Sequence, residues 1–165
     1  MSSTERLKLP FLSPGQAQKE WLHNEALQLL DCTIAACVEG VGIDAPPPAP
    51  GVGIAWIVGS IPTGAWAGKA GHIACMTAAG WRFVAPTEGL SAVVRGSGVR
   101  AEYRSGAWET GIVRGDRVEI DGEQVVASRS AAVASPSGGA TIDAEARAAV
   151  EQILLALRHH GLIAS

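Results

Sequence analysis

The chain has 165 residues, of which 47% are apolar and 18% are charged, and its formal net charge is −3. This composition is that of a folded globular protein and is too apolar for a disordered one. Because the sequence has no run of Lys and Arg, a basic patch that binds nucleic acid or an anionic membrane surface is not expected.

The N-terminal residues MSSTERLKLPF lack a positive region followed by an apolar run, so no signal peptide is predicted. No stretch of about 18 apolar residues occurs, so no membrane span is predicted. The three cysteines, Cys32, Cys37 and Cys75, form no CxxC pair and lie in apolar surroundings. We expect buried free thiols, which fit synthesis in a reducing cytoplasm.

Residues 1–12 are predicted to form an extended arm, with Leu9, Phe11 and Leu12 among its apolar anchors. An arm of this kind either packs on its own domain or reaches a neighbouring subunit. The sequence leaves both arrangements open, including exchange of the arm between subunits.

A helix is predicted from Ser13-Pro14 to about Val38, because Ser is a good N-cap and Pro is tolerated at the first helical position. Gly40 marks its end. Arm and helix together form the first predicted segment, residues 1–43. Apolar residues recur along this helix in two adjacent stripes, so we expect a broad buried face. The stripes are Leu27, Leu30, Ile34 and Cys37, and Leu22, Ala26, Leu29 and Ala36.

Residues 44–51 contain four prolines and are predicted to be a stiff, extended linker. Over residues 52–133, short β-prone runs alternate with Gly-containing turns. This pattern predicts an antiparallel meander, sandwich or small barrel. The clearest hairpin signal is Asp121-Gly122, which suits a type I′ turn. The predicted strands are 54–58, 72–76, 81–84, 91–95, 99–104, 107–113 and 118–127.

Residues 134–140 are predicted to be a flexible linker, and residues 141–165 an oligomerisation helix with Asp143 as N-cap and Gly161 at C′. Its apolar residues are spaced four, three and four apart, which gives two heptads of a coiled-coil seam. Two heptads are too short to be stable alone, so we expect them to pack on the globular domain or on symmetry-related copies. The seam residues are Ala146, Val150, Ile153 and Leu157. The fold class is therefore mainly β with flanking helices.

No motif indicates catalysis, a cofactor or a bound metal. The sequence lacks HExxH, GxSxG and GxxxxGK[ST]. The acidic residues of the β region alternate with apolar ones and are predicted to form a solvated face. We expect a protein that is not an enzyme; a wall-degrading enzyme would need two of these carboxylates in one cleft. They are Glu102, Glu109, Asp116, Glu119 and Asp121.

Five tryptophans supply most of the aromatic bulk. Trp56 lies within a β-prone run and is expected in the core. Trp66 lies in the loop-like stretch GAWAG and is the best candidate for an exposed aromatic. Because an indole stacks on the apolar face of a sugar, Trp66 and Trp108 are candidate glycan contacts; packing in the core or against a neighbouring subunit is the alternative.

Several short blocks spread over most of the chain carry a resemblance to known proteins. They are LKLPFL at 7–12, GQAQKE at 15–20, HNEAL at 23–27, AWIVG at 55–59, TGAWAG at 63–68, GWRF at 80–83 and DAEARAA at 143–149. Together they resemble a domain-of-unknown-function family whose members occur in phage and prophage tail or fibre proteins. Members also occur in gene transfer agents, the phage-derived particles of alphaproteobacteria.

The resemblance implies a virion component: a structural protein that forms or anchors a spike or fibre on the surface of a phage-like particle, with a capsid spike base preferred. Its partners would be other spike, fibre, capsid or tail proteins and sister copies in three- or five-fold symmetry. Attachment would use Leu9, Phe11, Leu12 and the C-terminal seam. The alternative is a module for host cell adhesion that recognises cell-surface polysaccharide. Copy number, capsid or tail position and direct receptor binding stay open.

Overall fold

The structure is a computed structural model that describes residues 3–13, 15, 19–126, 128–141 and 143–164. This described part of the chain is mainly β, with an N-terminal and a C-terminal helix, as predicted. Contacts divide it into two compact units, Met1–Ile112 and Val113–Ser165. The division into five segments inferred from composition stays a prediction.

Helix α1 spans Lys19–Thr33 and helix α2 spans Ala144–His159. The strands are β1 (Cys37–Val38), β2 (Val41–Ile43), β3 (Ala55–Val58), β4 (Ile73–Thr77), β5 (Gly80–Val84), β6 (Ser91–Val94), β7 (Arg100–Arg104), β8 (Ala107–Thr110), β9 (Val118–Ile120) and β10 (Glu123–Val126). A 3₁₀ turn at Gly64–Trp66 follows β3.

The first unit contains two four-stranded sheets. The β7 sheet has the order β1-β6-β7-β8, and the β4 sheet has the order β2-β3-β4-β5. Both sheets are open among the described strands, so the small barrel considered from the sequence does not form. The consecutive strands pair antiparallel as expected, but β1 pairs parallel to β6 and β2 pairs parallel to β3.

The two parallel pairs come from one segment of chain that lies along both sheets. Ala36 and Val38 accept hydrogen bonds from β6 and the residue after it, at 2.9 and 2.8 Å. The next residues turn to the other sheet, where Glu39 N–H donates to the Ala55 carbonyl at 2.8 Å. Gly40 accepts from Ile57 N–H at 3.0 Å. This segment therefore joins the edges of both sheets.

The predicted helix end at Val38 is wrong, because α1 ends at Thr33 and the following residues form strands. Ala35 leaves the helix in the left-handed region with φ 48°. Val38, which is β-branched and has a weak helical propensity, then pairs with β6 and extends the chain as a strand. Pro14 and residues 16–18, at the predicted helix start, lie outside the described residues.

The main core lies between the two sheets. Alternate residues of β3 and β4 face it, which is the period-two pattern of a strand. From β6 and β7, the β7 sheet contributes the small residues Ala92 and Ala101. The buried members of this core are Cys32, Ala36, Val38, Ala55, Ile57, Ile73, Cys75, Ala92 and Ala101.

One buried carboxylate fastens the N-terminal arm to α1. Asp31 is 2% exposed. Its carboxylate accepts hydrogen bonds from Thr4 Oγ1 at 2.9 Å and from the backbone N–H groups of Arg6 and Leu7 at 2.9 and 2.5 Å. The Arg6 guanidinium donates to the carbonyls of Asp31 and Ala35 at the helix end, where the helix dipole favours a cation. The described arm therefore packs on its own chain.

The predicted broad apolar buried face of α1 is wrong. The helix turns Gln28, Asp31 and Cys32 towards its own domain, whereas Leu22 and Leu30 are exposed. Because the donors of the arm can satisfy Asp31 only when it faces inwards, the polar side of the helix is the buried side.

In the second unit, β9 and β10 form the predicted hairpin. Asp121 and Gly122 have φ values of 52° and 81°, as a type I′ turn requires. The Asp143 Oδ1 atom caps α2 by accepting from Ala146 N–H at 2.8 Å, and Gly161 has φ 69° after the helix end. Both predicted helix-end residues are confirmed. Ala127, in the last predicted strand, lies outside the described residues.

Replacing Asp31 with Asn should destabilise the first unit by about 2–3 kcal/mol. Both carboxylate oxygens of Asp31 accept hydrogen bonds, and in Asn one of them is replaced by an NH₂ group, which donates. This NH₂ would face another donor, so both buried groups would lack a partner. Urea unfolding followed by circular dichroism measures the change. The control is Asp116→Asn, an exposed position expected to change stability by less than about 0.5 kcal/mol. Equal stability of both variants would contradict the role of Asp31.

Candidate functional site

The tryptophan predicted to be exposed is fully buried. Trp66 is 0% exposed and lies with its ring centroid 6.2 Å from that of Trp56 and 5.2 Å from that of Trp81. Gly64 and Gly68 have φ values of 58° and 74°, and these conformations fold the loop back onto the outer face of the β4 sheet. The expected exposure of Trp66 is therefore wrong, and its ring offers no surface for stacking on a sugar in this fold.

The rings around Trp66 form a second, smaller core. Trp56 and Trp81 are half-buried and meet edge to face with centroids 5.8 Å apart. Phe83 packs on the same cluster, and the Lys69 Nζ lies 5.5 Å from its ring centroid. Edge-to-face rings with this spacing stabilise a fold. The role of this cluster is to hold the loop onto the sheet.

Trp108 lies in a different place, beside an open cleft in the first unit. Its indole Nε1 donates to the Gly71 carbonyl at 2.7 Å, and its ring meets that of Tyr103 edge to face with centroids 5.6 Å apart. The two residues are cross-strand neighbours on β7 and β8. They line a cleft of about 380 Å³.

The chemistry of this cleft is neutral and aromatic. Among the described residues that line it, none is Asp, Glu, Lys, Arg or His. Its wall at Gly59 depends on the absence of a side chain, because a Cβ there would meet the Asp44 carboxylate and lie 2.8 Å from the Gly42 carbonyl. A cleft of this kind suits an uncharged ligand with one apolar face. The sequence pointed to Trp108 but missed Tyr103, whose place opposite Trp108 follows only from the strand register.

The thiols of Cys32 and Cys75 are buried in the main core, and Cys37 is half-buried; all three are free, as predicted. A hydrogen bond from Cys32 lowers the pKa of the Cys75 thiol, and the same bond together with burial raises the pKa of Cys32. Because both groups are closed off from solvent, this pairing serves packing and offers no accessible nucleophile.

Two of the carboxylates considered from the sequence are neighbours in the sheet. Glu102 and Glu109 lie opposite each other on β7 and β8 and are half-buried. Arg104 and Arg100 reach Glu102 at 3.5 and 3.9 Å. Neither carboxylate lines the Tyr103–Trp108 cleft. Across the described ranges, His, Cys, Asp and Glu form no group of three that could hold a metal ion.

The residues predicted for attachment lie partly in solvent. Leu9 and Phe11 are half-buried, and Leu12 is exposed. On α2, the buried residue is Leu154, while three members of the predicted seam are exposed and Leu157 is half-buried. The exposed three are Ala146, Val150 and Ile153. No helix in the described residues is long and apolar enough to cross a membrane.

Comparison with protein families gives a match over the middle of the chain. A family model described as "Protein of unknown function (DUF2793)" matches residues 23–109, which is more than half of the chain. The match runs from within α1 into β8 and includes both residues of the Tyr103–Trp108 cleft. A comparison with curated proteins gives no match.

Replacing Trp66 with Ala should destabilise the first unit by about 3–5 kcal/mol, because a buried indole is lost and leaves a cavity. Thermal unfolding followed by near-ultraviolet circular dichroism reports both stability and tryptophan packing. Ile61→Ala, at an exposed position, is the control and should change stability by less than about 0.5 kcal/mol. A native-like stability for the Trp66 variant would contradict the structural role of the cluster.

Proposed function

Given that this chain belongs to DUF2793, a family of proteins of unknown function, we propose that it is a structural component, and not an enzyme, of a phage-like particle such as a gene transfer agent or prophage. It forms or anchors a surface spike or fibre, with a capsid spike base as the preferred role. It assembles as a closed homo-oligomer of three or five copies and contacts other spike, fibre, capsid or tail proteins. The sequence resemblance described above supports this role.

The observation that carries the proposal is the exposed apolar face of α2. Ile153 is 59% exposed, and Ala146 and Val150 lie on the same side of the helix in solvent, while the neighbouring Leu154 is buried. Full burial of a Val or Ile side chain contributes about 1.5–3 kcal/mol. A helix face with heptad spacing and this exposure is therefore a surface for sister helices.

The hairpin of the second unit supports the same interpretation. All described residues of β9 and β10 are exposed, including the apolar Val118, Ile120 and Val125. A two-stranded hairpin is marginally stable in water by itself. Exposed apolar residues on both of its strands indicate a surface that a neighbouring chain covers.

The charged side chains next to the seam are bonded within their own chain. Arg147 and Arg158 donate to the carbonyls of Gly138 and Val133, the second at 2.7 Å. Glu151 accepts from Ser135 Oγ at 3.1 Å. Because the seam itself has no charged residue, identical faces meet without like-charge repulsion.

Replacing Ile153 with Asp should weaken self-association by at least about tenfold, because a carboxylate would be buried in an apolar contact. Sedimentation equilibrium of the full chain measures the association constant. Val113→Asp is the matched control, since Val113 is 97% exposed and outside the helix, and should assemble as the unchanged chain does. A monomeric unchanged chain would contradict the oligomer.

The particle role is tested by electron microscopy of particles made without this chain. The proposal expects that surface spikes or fibres are missing from such particles and return when the gene is restored. Particles that keep a full set of spikes and fibres would contradict the role, as would turnover of a cell-wall substrate by the purified chain.

A second candidate function, recognition of cell-surface polysaccharide, is favoured by the Tyr103–Trp108 cleft. Tyr103→Ala should lower the affinity for a neutral glycan by about tenfold through loss of stacking. Isothermal titration calorimetry against neutral oligosaccharides measures the affinity, with Ile61→Ala as the control. Equal affinity of the Tyr103 variant, or no binding by the unchanged chain, would exclude this cleft as the receptor site.

A further inference from the structure

The arm, α1 and β5 border a cleft of about 470 Å³ in the first unit, which is within the size range of ligand sites. Phe11 and Leu12 form its side at the arm. Asn24 holds this side in place by exchanging two hydrogen bonds with the Leu12 backbone, at 2.9 and 3.1 Å. Trp21 also lines the cleft and is 67% exposed, so its ring is accessible from solvent. The cleft thus offers apolar and aromatic surface to an occupant.

The charged groups of this cleft leave one carboxylate without a cation. The charged residues of its described lining are Glu20, Glu25 and Arg82, with a formal charge of −1. The Arg82 Nε lies 2.7 Å from the Glu25 carboxylate, so these two residues neutralise each other. The Oε2 atom of Glu20 is buried and has no hydrogen-bond partner among the described residues. Because buried charges in proteins are paired, the cleft favours a cationic occupant.

A second acceptor without a donor lies about 12 Å further along the axis of α1, since Gln28 follows Glu20 by eight residues. Gln28 lines the cleft and is 7% exposed, and its Oε1 has no hydrogen-bond partner in the described part of the chain. Both oxygens are covered by protein atoms. The terminal torsions of Glu and Gln rotate over a broad range, so both oxygens can turn towards the cleft. An occupant therefore needs two separate donors, a cation for Glu20 and a neutral N–H for Gln28.

We propose that the cleft binds an arginine residue of a partner protein in the particle. Its guanidinium stacks on the Trp21 ring and donates to the Glu20 carboxylate. Its methylene groups lie along Phe11 and Leu12, and its backbone N–H donates to Gln28 Oε1. The inference rests on the proposed function, because the partner is one of the other spike, fibre, capsid or tail proteins.

The chemistry of the cleft selects arginine over other cations. A guanidinium donates hydrogen bonds and accepts none, so it meets the Glu20 carboxylate without adding an acceptor that needs a partner. It is flat and weakly hydrated and stacks on an indole, whereas a lysine ammonium is compact and strongly hydrated. Its single charge matches the formal charge of the lining, whereas a diamine would bring a second cation beside Arg82.

The arginines of this chain favour a different protein over a sister copy as the source. Each arginine of this chain already has an interaction within its own chain. A sister copy would have to break such an interaction to fill the cleft, and a protein with an unpaired surface arginine would not.

The first test is a fluorescence titration of the full chain with the capped tripeptide acetyl-Gly-Arg-Gly-amide. Binding should saturate in the millimolar range, and the emission change should be absent in Trp21→Phe. The same peptide with citrulline in place of arginine keeps the shape without the charge and should bind at least about tenfold more weakly. A peptide with a methylated arginine backbone nitrogen lacks the N–H and should bind about fivefold more weakly. No saturable binding of the arginine peptide, or equal binding of the citrulline peptide, would overturn the inference.

Variants of the chain assign the two donors to their acceptors. Glu20→Gln should weaken binding of the arginine peptide by at least about tenfold, whereas Asp116→Asn, which removes the same charge at an exposed position, should leave it unchanged. Gln28→Leu should weaken the arginine peptide about fivefold and leave the affinity for the methylated peptide unchanged, because that peptide has no N–H to lose. A structural role of Gln28 alone predicts equal losses for both peptides. Equal losses, or an unchanged affinity of Glu20→Gln, would contradict the assigned contacts.

The outcomes also separate this contact from the proposed function. If the arginine peptide does not bind but particles made without the chain lack spikes or fibres, the contact is wrong and the particle role stands. If the peptide binds as expected but those particles keep a full set of spikes and fibres, the cleft selects arginine and the particle role is wrong. Where both hold, particles with Glu20→Gln should retain less of this chain than particles with Asp116→Asn, and equal retention would exclude a partner in the particle.

Discussion

The structure of the first unit depends on the burial of one carboxylate. Asp31 lies inside only because Thr4 and the backbone N–H groups of Arg6 and Leu7 replace the water that it would otherwise bind. Its position fixes which side of α1 faces the sheets. The apolar side of the helix, with Leu22 and Leu30, is consequently left in solvent.

Features with a local cause could be predicted from the sequence. The Asp121-Gly122 turn, the Asp143 N-cap and the alternation of β3 and β4 each depend on residues that are neighbours in the chain. The orientation of α1 could not be predicted, because it is set by an arm more than twenty residues away in sequence. The strands at residues 37–43 were missed for a related reason: they pair parallel with β6 and β3, and this pairing leaves no signal in the local sequence.

The residues of the candidate sites also divide into those with a local sequence signal and those whose position depends on distant parts of the chain. Trp108 could be singled out by its residue type, but Tyr103 becomes its neighbour only through strand register. The exposure of Trp66 was predicted wrongly. A Trp between glycines is typical of an exposed loop, whereas the burial of this residue depends on the distant rings of Trp56 and Trp81. The seam of α2 follows from helical periodicity alone, and the structure leaves most of it in solvent. No sequence pattern predicts that Gln28 is buried, because an amide side chain on a helix is usually exposed.

The chain segment at residues 36–43 has a mechanical consequence. Because its backbone bonds first to β6 and the residue after it and then to β3, sliding or separation of the two sheets requires hydrogen bonds of this segment to break. Opening of either sheet breaks hydrogen bonds of this segment, which is also bonded to the other sheet. Amide hydrogens in both sheets of the first unit should therefore exchange with solvent in one cooperative event. A load applied along the strands of the first unit would be shared between its two sheets.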